Sequence, residues 1–259
     1  MPTLPTTGEW DFPNAATPLG SPAYYAIRFS APEARQRFAL LFAWRQQIVD
    51  ISAQAHDPGV ARLKLDWWRE EIATIVEGRP RHPLAEALSK TRLAPTILEP
   101  MRGMIDAAET ELMSDGVADD QAFTQACRDE GGNLFRLLNA AATDCSDDEV
   151  PCSDLGGYCS AVERVRLGAR QPRRIPRDLA RMIGDNPADA SLRERCAALL
   201  PEPVAPSTAG QEPIPGVCRR LLALGRAMHV KLARKGYPVA EMLVERPPIA
   251  HLWTAWRCR

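Results

Sequence analysis

Apolar side chains in residues 31–53 recur every three or four positions, which is the period of an α-helix. They form two stripes instead of one. The first stripe contains Leu40, Trp44, Ile48 and Ile51, and the second contains Phe38, Phe42 and Val49. Because a helix that is apolar on two sides buries both of them, this segment is predicted to lie deep in the core.

A second helix is predicted directly after the first. Asp57 is a suitable N-cap, and Pro58 suits the first helical position because an N–H group has no partner there. Apolar residues then follow at helical spacing, namely Leu65, Trp68, Ile72, Ile75 and Val76. The stretch EGRPRHP contains glycine and proline and is predicted to end this helix, and LAEAL begins another.

The helical period continues through most of the remaining chain. Further helices are predicted over residues 94–114, 119–143, 153–169, 214–235 and 238–257. No stretch alternates convincingly between apolar and polar residues as a strand does, and no Asn-Gly pair marks a hairpin. The predicted fold is therefore all-α, a single-domain bundle of about eight to ten helices.

Proline-rich stretches divide the chain. Residues 1–22 contain five prolines and little periodicity, which predicts an extended arm laid on or off the body. Residues 23–259 are predicted to form the helical domain. Within that domain, residues 201–215 contain five prolines and are predicted to be a loop between helices.

The composition excludes several classes of protein. Of the 259 residues, 45% are hydrophobic and 25% are charged, which is typical of a globular domain. The net charge of −1 gives no global bias toward nucleic acid or anionic membranes, so no nucleic-acid partner is expected. No apolar run approaches the roughly 20 residues of a transmembrane helix, and the first residues do not resemble a secretory signal. Seven cysteines without a C-x-x-C pair predict reduced, buried thiols and a cytoplasmic location.

Four stretches carry a resemblance to a known family. They are AYYAIRF with APEARQRFALLFAW, then DPGVARLKLDWWREEIATIVEGRPRHPLAEAL, then CRDEGGNLFRLLNAA, and last LGGYCSAVERVRLGARQPRRIPRDL. In this order, across residues 23–179, they resemble the squalene/phytoene synthase family, whose members join two prenyl diphosphates head to head. The resemblance implies a helical bundle of the isoprenoid synthase type with a central pocket.

The resemblance does not extend to the residues that perform the family's chemistry. Loss of diphosphate requires Mg²⁺, which carboxylates at i and i+4 on facing helices hold. The family's first aspartate pair corresponds to Val49 and Ala53, with only Asp50 nearby, and the second falls near Leu167 in RLGARQPRR. We therefore predict no catalytic residues, no metal ligands and no cofactor. These losses resemble those of degenerate members related to a mitochondrial complex I assembly factor.

Nine residues are candidates for binding a ligand: Tyr25, Arg28, Asp50, Asn133, Tyr158, Arg166, Arg170, Arg173 and Arg174. Residues 164–177 contain six arginines, and guanidinium groups bind phosphate or diphosphate oxygens in bidentate fashion. The alternatives are an acidic partner, a lipid headgroup, or a solvated helix end that offsets the helix dipole. Asp50 is either a relic of the pocket or the partner of an arginine such as Arg28 or Arg69.

Two further groups of residues allow two interpretations each. The aromatic residues Tyr24, Tyr25, Trp44, Trp67, Trp68 and Tyr158 either line a prenyl-sized cavity or form ordinary core. Asp66 and Glu70 lie at i and i+4, the spacing of a metal site, but alternate with Arg62 and Arg69. An intrahelical ladder of ion pairs fits that alternation better than a metal site does.

The sequence therefore predicts a non-catalytic protein of the squalene/phytoene synthase fold. Its expected ligand is an isoprenoid, an anionic lipid or a protein partner, and peripheral contact with a membrane is compatible with this. The alternative is a divergent Mg²⁺-dependent prenyl transferase whose metal ligands come from other positions.

Overall fold

The computed structural model describes residues 8–55, 57–91, 93–143, 152–185, 190–203 and 214–258. Regular structure in these ranges is helical, without a strand, and the predicted all-α class is confirmed. The α-helices are α1 Pro22–Arg28, α2 Pro32–Ala53, α3 Pro58–Glu77, α4 Pro83–Ser89, α5 Leu98–Met113, α6 Asp120–Cys127, α7 Asn133–Thr143, α8 Cys152–Arg166, α9 Arg177–Asp185, α10 Ala190–Ala198, α11 Gly216–Arg234 and α12 Pro248–Arg257.

Helix α2 lies in the centre of the bundle, as its two apolar stripes predict. A continuous run, residues 38–44, is buried, and Trp44 is completely enclosed. Because α2 is apolar on two sides, it packs against α5, α4, α3 and α7 together. Phe42 and Arg45 of this helix line a cavity in the bundle.

Helix α3 begins and ends where the sequence predicts. The Asp57 side chain accepts hydrogen bonds from the backbone N–H groups of Gly59 and Val60, and Pro58 is the first residue of the helix. The helix ends at Gly78, whose φ of 71° lies in the left-handed region that glycine enters without strain.

A buried carboxylate fixes the turn between α3 and α4. The Glu71 side chain is fully buried and accepts hydrogen bonds from the backbone N–H groups of Arg81 and His82, at 2.6 and 2.8 Å. The Arg81 guanidinium adds an ion pair at 2.9 Å. Burial alone would raise the pKa of Glu71, but these hydrogen bonds outweigh it and lower the pKa.

A close backbone contact joins α8 to a π-helical turn, Arg128–Gly132, between α6 and α7. A Cβ atom on Gly156 would lie 2.0 Å from the carbonyl oxygen of Gly131, and one on Gly131 would lie 2.1 Å from that of Gly156. Only glycine permits such an approach. The contact places Glu130 of the π-turn against α8.

Several predicted elements differ from the structure. The described part of the chain holds twelve α-helices, more than the predicted eight to ten. Helices α1, α9 and α10 were not predicted from the apolar period, and the single helix predicted over residues 119–143 is divided into α6 and α7 by the π-helical turn. The helix predicted over residues 238–257 is observed only from Pro248, because Pro238 and Pro247 interrupt the helical backbone. Most of the predicted proline-rich loop, residues 204–213, lies outside the described residues.

The described part of the N-terminal arm, residues 8–20, packs on α2. Phe12 donates its backbone N–H to the Gln36 side chain at 3.0 Å, and the Asn14 side chain donates to the carbonyl of Ala39 at 3.1 Å. Thr17 is completely buried. The arm therefore lies on the body and forms part of the cavity wall.

Six cysteines lie in the described ranges, and all are free thiols. Cys127, Cys152, Cys196 and Cys218 are buried. None of the helices in these ranges combines the length and the apolar character that crossing a membrane requires.

Candidate functional site

A cavity of about 630 Å³ lies between the N-terminal segment, α2, the π-helical turn, α8, α11 and the start of α12. Its apolar wall contains Phe42, Leu134, Phe135, Leu221, Leu224 and Met228. Five arginines and three glutamates also line it, namely Arg45, Arg164, Arg166, Arg174 and Arg246 with Glu130, Glu163 and Glu245. The cavity wall therefore combines apolar side chains with an excess of positive charge.

Glu130 is the centre of a cluster of charged side chains on this wall. Arg45 Nη2 lies 2.9 Å from one carboxylate oxygen, and Arg164 Nε and Arg174 Nη2 lie 3.1 and 2.8 Å from the other. The Ser160 hydroxyl donates to the second oxygen at 2.8 Å. Burial alone would raise the pKa of Glu130, but the positive charges of Arg164, Arg174 and Arg45 outweigh it and hold the pKa far below its usual range.

A second carboxylate completes this charged cluster. Glu111 Oε2 lies 3.1 Å from Arg164 Nη2, and Glu111 Oε1 lies 2.6 Å from Arg174 Nε. The Arg164 side chain is only 3% exposed, so it depends on these carboxylates for its partners. Three arginines face two glutamates, and the cluster keeps one excess positive charge.

Arg45 and Arg246, two arginines of the cavity wall, each have one nitrogen without a hydrogen-bond partner among the described residues, namely Arg45 Nε and Arg246 Nη1. Each atom is inaccessible to solvent. Because no water-sized sphere reaches these atoms, they lie behind the cavity surface, and other atoms of the same side chains form the wall. Burial and the positive charges of Arg246, Lys231 and Arg166 lower the pKa of His251, so its imidazole is neutral at pH 7.

Cys159 also lines the cavity, but it does not have the properties of a nucleophile. Burial raises the pKa of its thiol to about 12, despite the nearby positive charge of Arg226. Thiolate, not thiol, is the reactive form of cysteine. Cys159 is therefore a small apolar part of the wall at neutral pH.

The predicted arginine cluster divides between the cavity and the surface. Arg166 and Arg174 line the cavity, and so does Arg164. Arg166 forms an ion pair with Glu163 at 2.5 Å. Arg170 and Arg173 are exposed and lie outside the cavity wall.

Neither of the two predicted ligand-binding residues on α1, Tyr25 and Arg28, lines the cavity. Tyr25 lies behind the wall, where its ring stacks on that of His251 with centroids 6.5 Å apart. Arg28 is exposed at the end of α1.

Tyr158 and Asn133 are likewise absent from the cavity wall. The Tyr158 hydroxyl is hydrogen-bonded to His229 Nδ1 at 2.7 Å in the core. The Asn133 side chain donates to the carbonyl of Asp129 at 2.8 Å within the helix and lies against Gly103. Both side chains have structural partners.

Asp50 faces a different part of the surface. It accepts a hydrogen bond from Gln46 Nε2 at 2.7 Å and lines a separate depression of about 440 Å³ between α2 and α3. Of the alternatives for Asp50, a pairing with Arg69 is not observed, because Arg69 binds Asp66 and Asp106, at 2.6 and 2.7 Å.

The ladder predicted within α3 is only partly intrahelical. The ion pair between Arg69 and Asp66 lies within the helix, as predicted. Arg69 also binds Asp106 and Arg62 binds Glu109, both on α5, because α3 packs beside that helix. These acids hold two helices together.

The predicted aromatic residues are absent from the cavity wall. Trp44 and Trp68 meet edge to face, with centroids 6.5 Å apart, and Trp68 contacts Trp67 in the same way at 5.2 Å. Tyr24 stacks on Phe12. Of the two interpretations, packing in the core is the one that the structure supports.

Magnesium, which the family resemblance implies, does not fit the residues that are present. Both oxygens of Glu130 already accept hydrogen bonds from arginines, and Glu163 is paired with Arg166. Across the described ranges, no three His, Cys, Asp or Glu side chains lie close enough together to hold a metal ion. Magnesium needs carboxylate oxygens that are free to coordinate it.

Sequence reasoning missed Glu130, Glu111, Arg45, Arg246 and His251. The position of Glu130 before the glycine pair in DEGGN is the one local signal, because paired glycines indicate a close backbone approach. Its arginine partners lie 34, 44 and 85 residues away along the chain. No spacing rule connects residues at such separations.

Comparison with known proteins agrees with this architecture. Residues 19–166 match the sequence model of the family described as squalene/phytoene synthase. The fold is similar to a crystal structure of a dehydrosqualene synthase in complex with a ligand, with a TM-score of 0.65 and 17% sequence identity, over 91% of this chain and 90% of that one. None of the curated proteins compared matches the chain in sequence.

Proposed function

The chain belongs to the squalene/phytoene synthase family, and on that premise we propose that it binds an isoprenoid lipid with a phosphate or diphosphate group without transferring the prenyl chain. The phosphate lies on the arginine side of the cavity in this proposal, and the prenyl chain lies along the apolar wall. No residue is assigned a catalytic role.

The charged cluster around Glu130 carries the proposal. Arg45, Arg164 and Arg174 line the cavity, and against Glu130 and Glu111 they leave one excess positive charge there. A phosphate offers several acceptor oxygens, and guanidinium groups bind them strongly because the hydrogen bonds are charge-assisted. The excess positive charge of the cluster around Glu130 favours an anion at the same place.

The remainder of the cavity suits an apolar chain. Its volume of about 630 Å³ falls within the usual range of small-molecule sites, about 300–1,000 Å³. Phe42, Phe135 and Leu224 are among the apolar residues that line it. Burying an apolar chain there gains about 25 cal/mol for each Å² removed from water.

The state of the carboxylates supports binding without turnover. Breaking the bond to diphosphate creates a carbocation and a highly charged leaving group, and the family resemblance implies Mg²⁺ for that step. Arginines neutralise diphosphate in the bound state as well as during bond breaking, so they contribute affinity without accelerating the reaction to the same degree. Of the three glutamates on the cavity wall, Glu130 and Glu163 are already engaged by arginines.

The test is calorimetric titration of farnesyl diphosphate into protein in buffer with a chelator. Inorganic diphosphate tests the arginine side alone, and farnesol tests the apolar wall alone. We expect farnesyl diphosphate to bind most tightly, Mg²⁺ not to improve its binding, and no diphosphate to be released above background.

Variants of the arginine segment provide a matched comparison. Replacing Arg174 by Gln removes one charge-assisted contact and is expected to weaken binding roughly tenfold or more. Replacing the exposed Arg170 and Arg173 by Gln changes the net charge more but should leave the affinity nearly unchanged. Lack of affinity in the unmodified protein, or equal losses in both variants, would contradict the proposal.

Magnesium-dependent binding together with release of diphosphate would instead support the alternative, a divergent Mg²⁺-dependent prenyl transferase. A cytoplasmic location, a protein partner and the absence of a cofactor remain predictions from the sequence.

A further inference from the structure

The outer face of α12 exposes large apolar side chains. Ile249, Trp253 and Trp256 are 68%, 58% and 44% exposed, and the two indoles stack with centroids 5.2 Å apart. At about 100° per residue these three side chains lie within about 60° of one another around the helix axis. His251 and Ala255, on the opposite side, are buried against the bundle. This face of α12 is an exposed apolar stripe, a feature that in water-soluble domains marks a contact surface.

The stripe lies beside the opening of the cavity. Pro248, the first residue of α12, lines the cavity together with Leu19, which is 73% exposed. Gly20 lies against Pro248, since a Cβ atom there would lie 3.2 Å from the Pro248 ring. Leu19 and the N-terminal end of α12 therefore form one rim of the opening.

The C-terminal segment that contains this face is basic. Residues 216–259, which contain α11 and α12, have nine Lys and Arg residues against two Glu, although the whole chain has a net charge of −1. Arg219, Arg234, Lys235 and Arg257 are exposed. A two-fold contact between copies of the chain would bring this basic region against itself, which like-charge repulsion disfavours.

We propose that the α12 face, comprising Ile249, Trp253, Trp256 and Leu19, docks on the surface of an anionic lipid bilayer. Indole rings accumulate at the boundary between headgroups and acyl chains, and basic residues near them are attracted to anionic lipids. In this orientation the cavity opens at the bilayer surface, which would give a lipid direct access if the proposed function is correct. The docking itself does not depend on that function.

The test uses the full chain and vesicles without any isoprenoid diphosphate. Flotation compares vesicles of phosphatidylcholine alone with vesicles that also contain phosphatidylglycerol. We expect binding to the anionic vesicles, weaker binding at high salt because the basic residues are screened, and little binding to neutral vesicles.

Paired variants locate the contact. Replacing Trp253 and Trp256 by Ser should reduce partitioning at least about tenfold, because most of the inserted apolar area is lost. The matched control replaces Leu63 and Met113 by Ser, two apolar residues that are 69% and 61% exposed on α3 and α5, and should bind like the unmodified protein. Equal binding by both variants would overturn the proposal.

A further measurement uses the unmodified protein, so its result does not depend on whether the variants fold. Lipids brominated on their acyl chains quench indoles that reach the chain boundary, so they should quench part of the tryptophan fluorescence on binding. Vesicle binding without quenching, or no vesicle binding, would overturn the proposal. A concentration-dependent dimer that the tryptophan variant abolishes, without vesicle binding, would assign the face to a second copy of the chain instead. Failure of farnesyl diphosphate to bind would leave the vesicle result unaffected.

Discussion

Replacing Glu130 by Gln tests the charged cluster most directly. The substitution keeps the size of the side chain but removes the negative charge that Arg45, Arg164 and Arg174 share. Removing one partner of a buried ion pair costs about 3–5 kcal/mol, because the other charge stays buried without compensation. Glu130 and Arg45 keep 14% and 25% of their side-chain exposure, and Glu111 still pairs with two of the arginines. We therefore expect a loss of about 2–4 kcal/mol in the free energy of unfolding.

Urea denaturation at pH 7 measures this loss, and a thermal melt should show a fall in Tm of about 5–15 °C for a chain of this size. The matched control is Glu163→Gln. Glu163 also lines the cavity, but it is 51% exposed and pairs with Arg166 within one helical turn. Exposed pairs of this kind contribute less than about 1 kcal/mol.

The loss should depend on pH in a defined direction. The pKa of Glu130 in the folded protein lies below its ordinary value of 4.5, so its contribution to stability is complete above pH 4.5. As the pH falls from 4.5 toward the folded pKa, the unmodified protein loses that contribution, whereas Glu130→Gln has none to lose. The difference in unfolding free energy between the two proteins should therefore shrink in acid.

Inorganic diphosphate provides a further measurement on the same variant. The three arginines in Glu130→Gln lack their shared carboxylate, so diphosphate should raise the Tm of the variant more than that of the unmodified protein. The reasoning would be refuted if Glu130→Gln lost no more stability than Glu163→Gln at pH 7. Equal stabilisation of variant and unmodified protein by diphosphate would refute the assignment of the cluster as an anion site.

Three other predictions concern the fold and the cavity wall. Glu71→Gln should lose about 2–4 kcal/mol in urea denaturation, because it weakens the bonds to the α3–α4 turn, whereas Glu70→Gln, at a side chain that is 73% exposed, should lose less than about 1 kcal/mol. Gly156→Ala should lower the free energy of unfolding by more than about 3 kcal/mol or prevent folding, because its Cβ would lie 2.0 Å from a backbone oxygen. In the control, Gly184→Ala, the new Cβ meets nothing within 4 Å, and stability should be unchanged or increased. Iodoacetamide should modify Cys159 slowly at pH 8, because the pKa of its thiol is raised to about 12 and little thiolate forms. Mass spectrometry of peptides measures the modification, and rapid reaction in the native protein would contradict the raised pKa.

Local patterns determined the fold class and most of the helix boundaries. The two apolar stripes of α2 and the caps of α3 involve residues within a few positions of each other, and helix formation depends on such short-range contacts. The family could also be recognised, because its matching stretches follow one another along the chain. The apolar period predicted a helix that begins too early between residues 238 and 248, where prolines interrupt the helical backbone.

The tertiary structure alone decided which charged residues face the cavity. Arg170, Arg173 and Arg174 lie within five residues of each other, yet only Arg174 lines the wall, because α8 ends at Arg166 and the chain then turns through a short 3₁₀ segment. Past the end of a helix no fixed period relates sequence position to side-chain direction. Glu130 meets its arginines only because the paired glycines bring the π-helical turn onto α8. Contacts between residues so far apart in sequence follow from how the helices pack, and a local pattern holds no information about them.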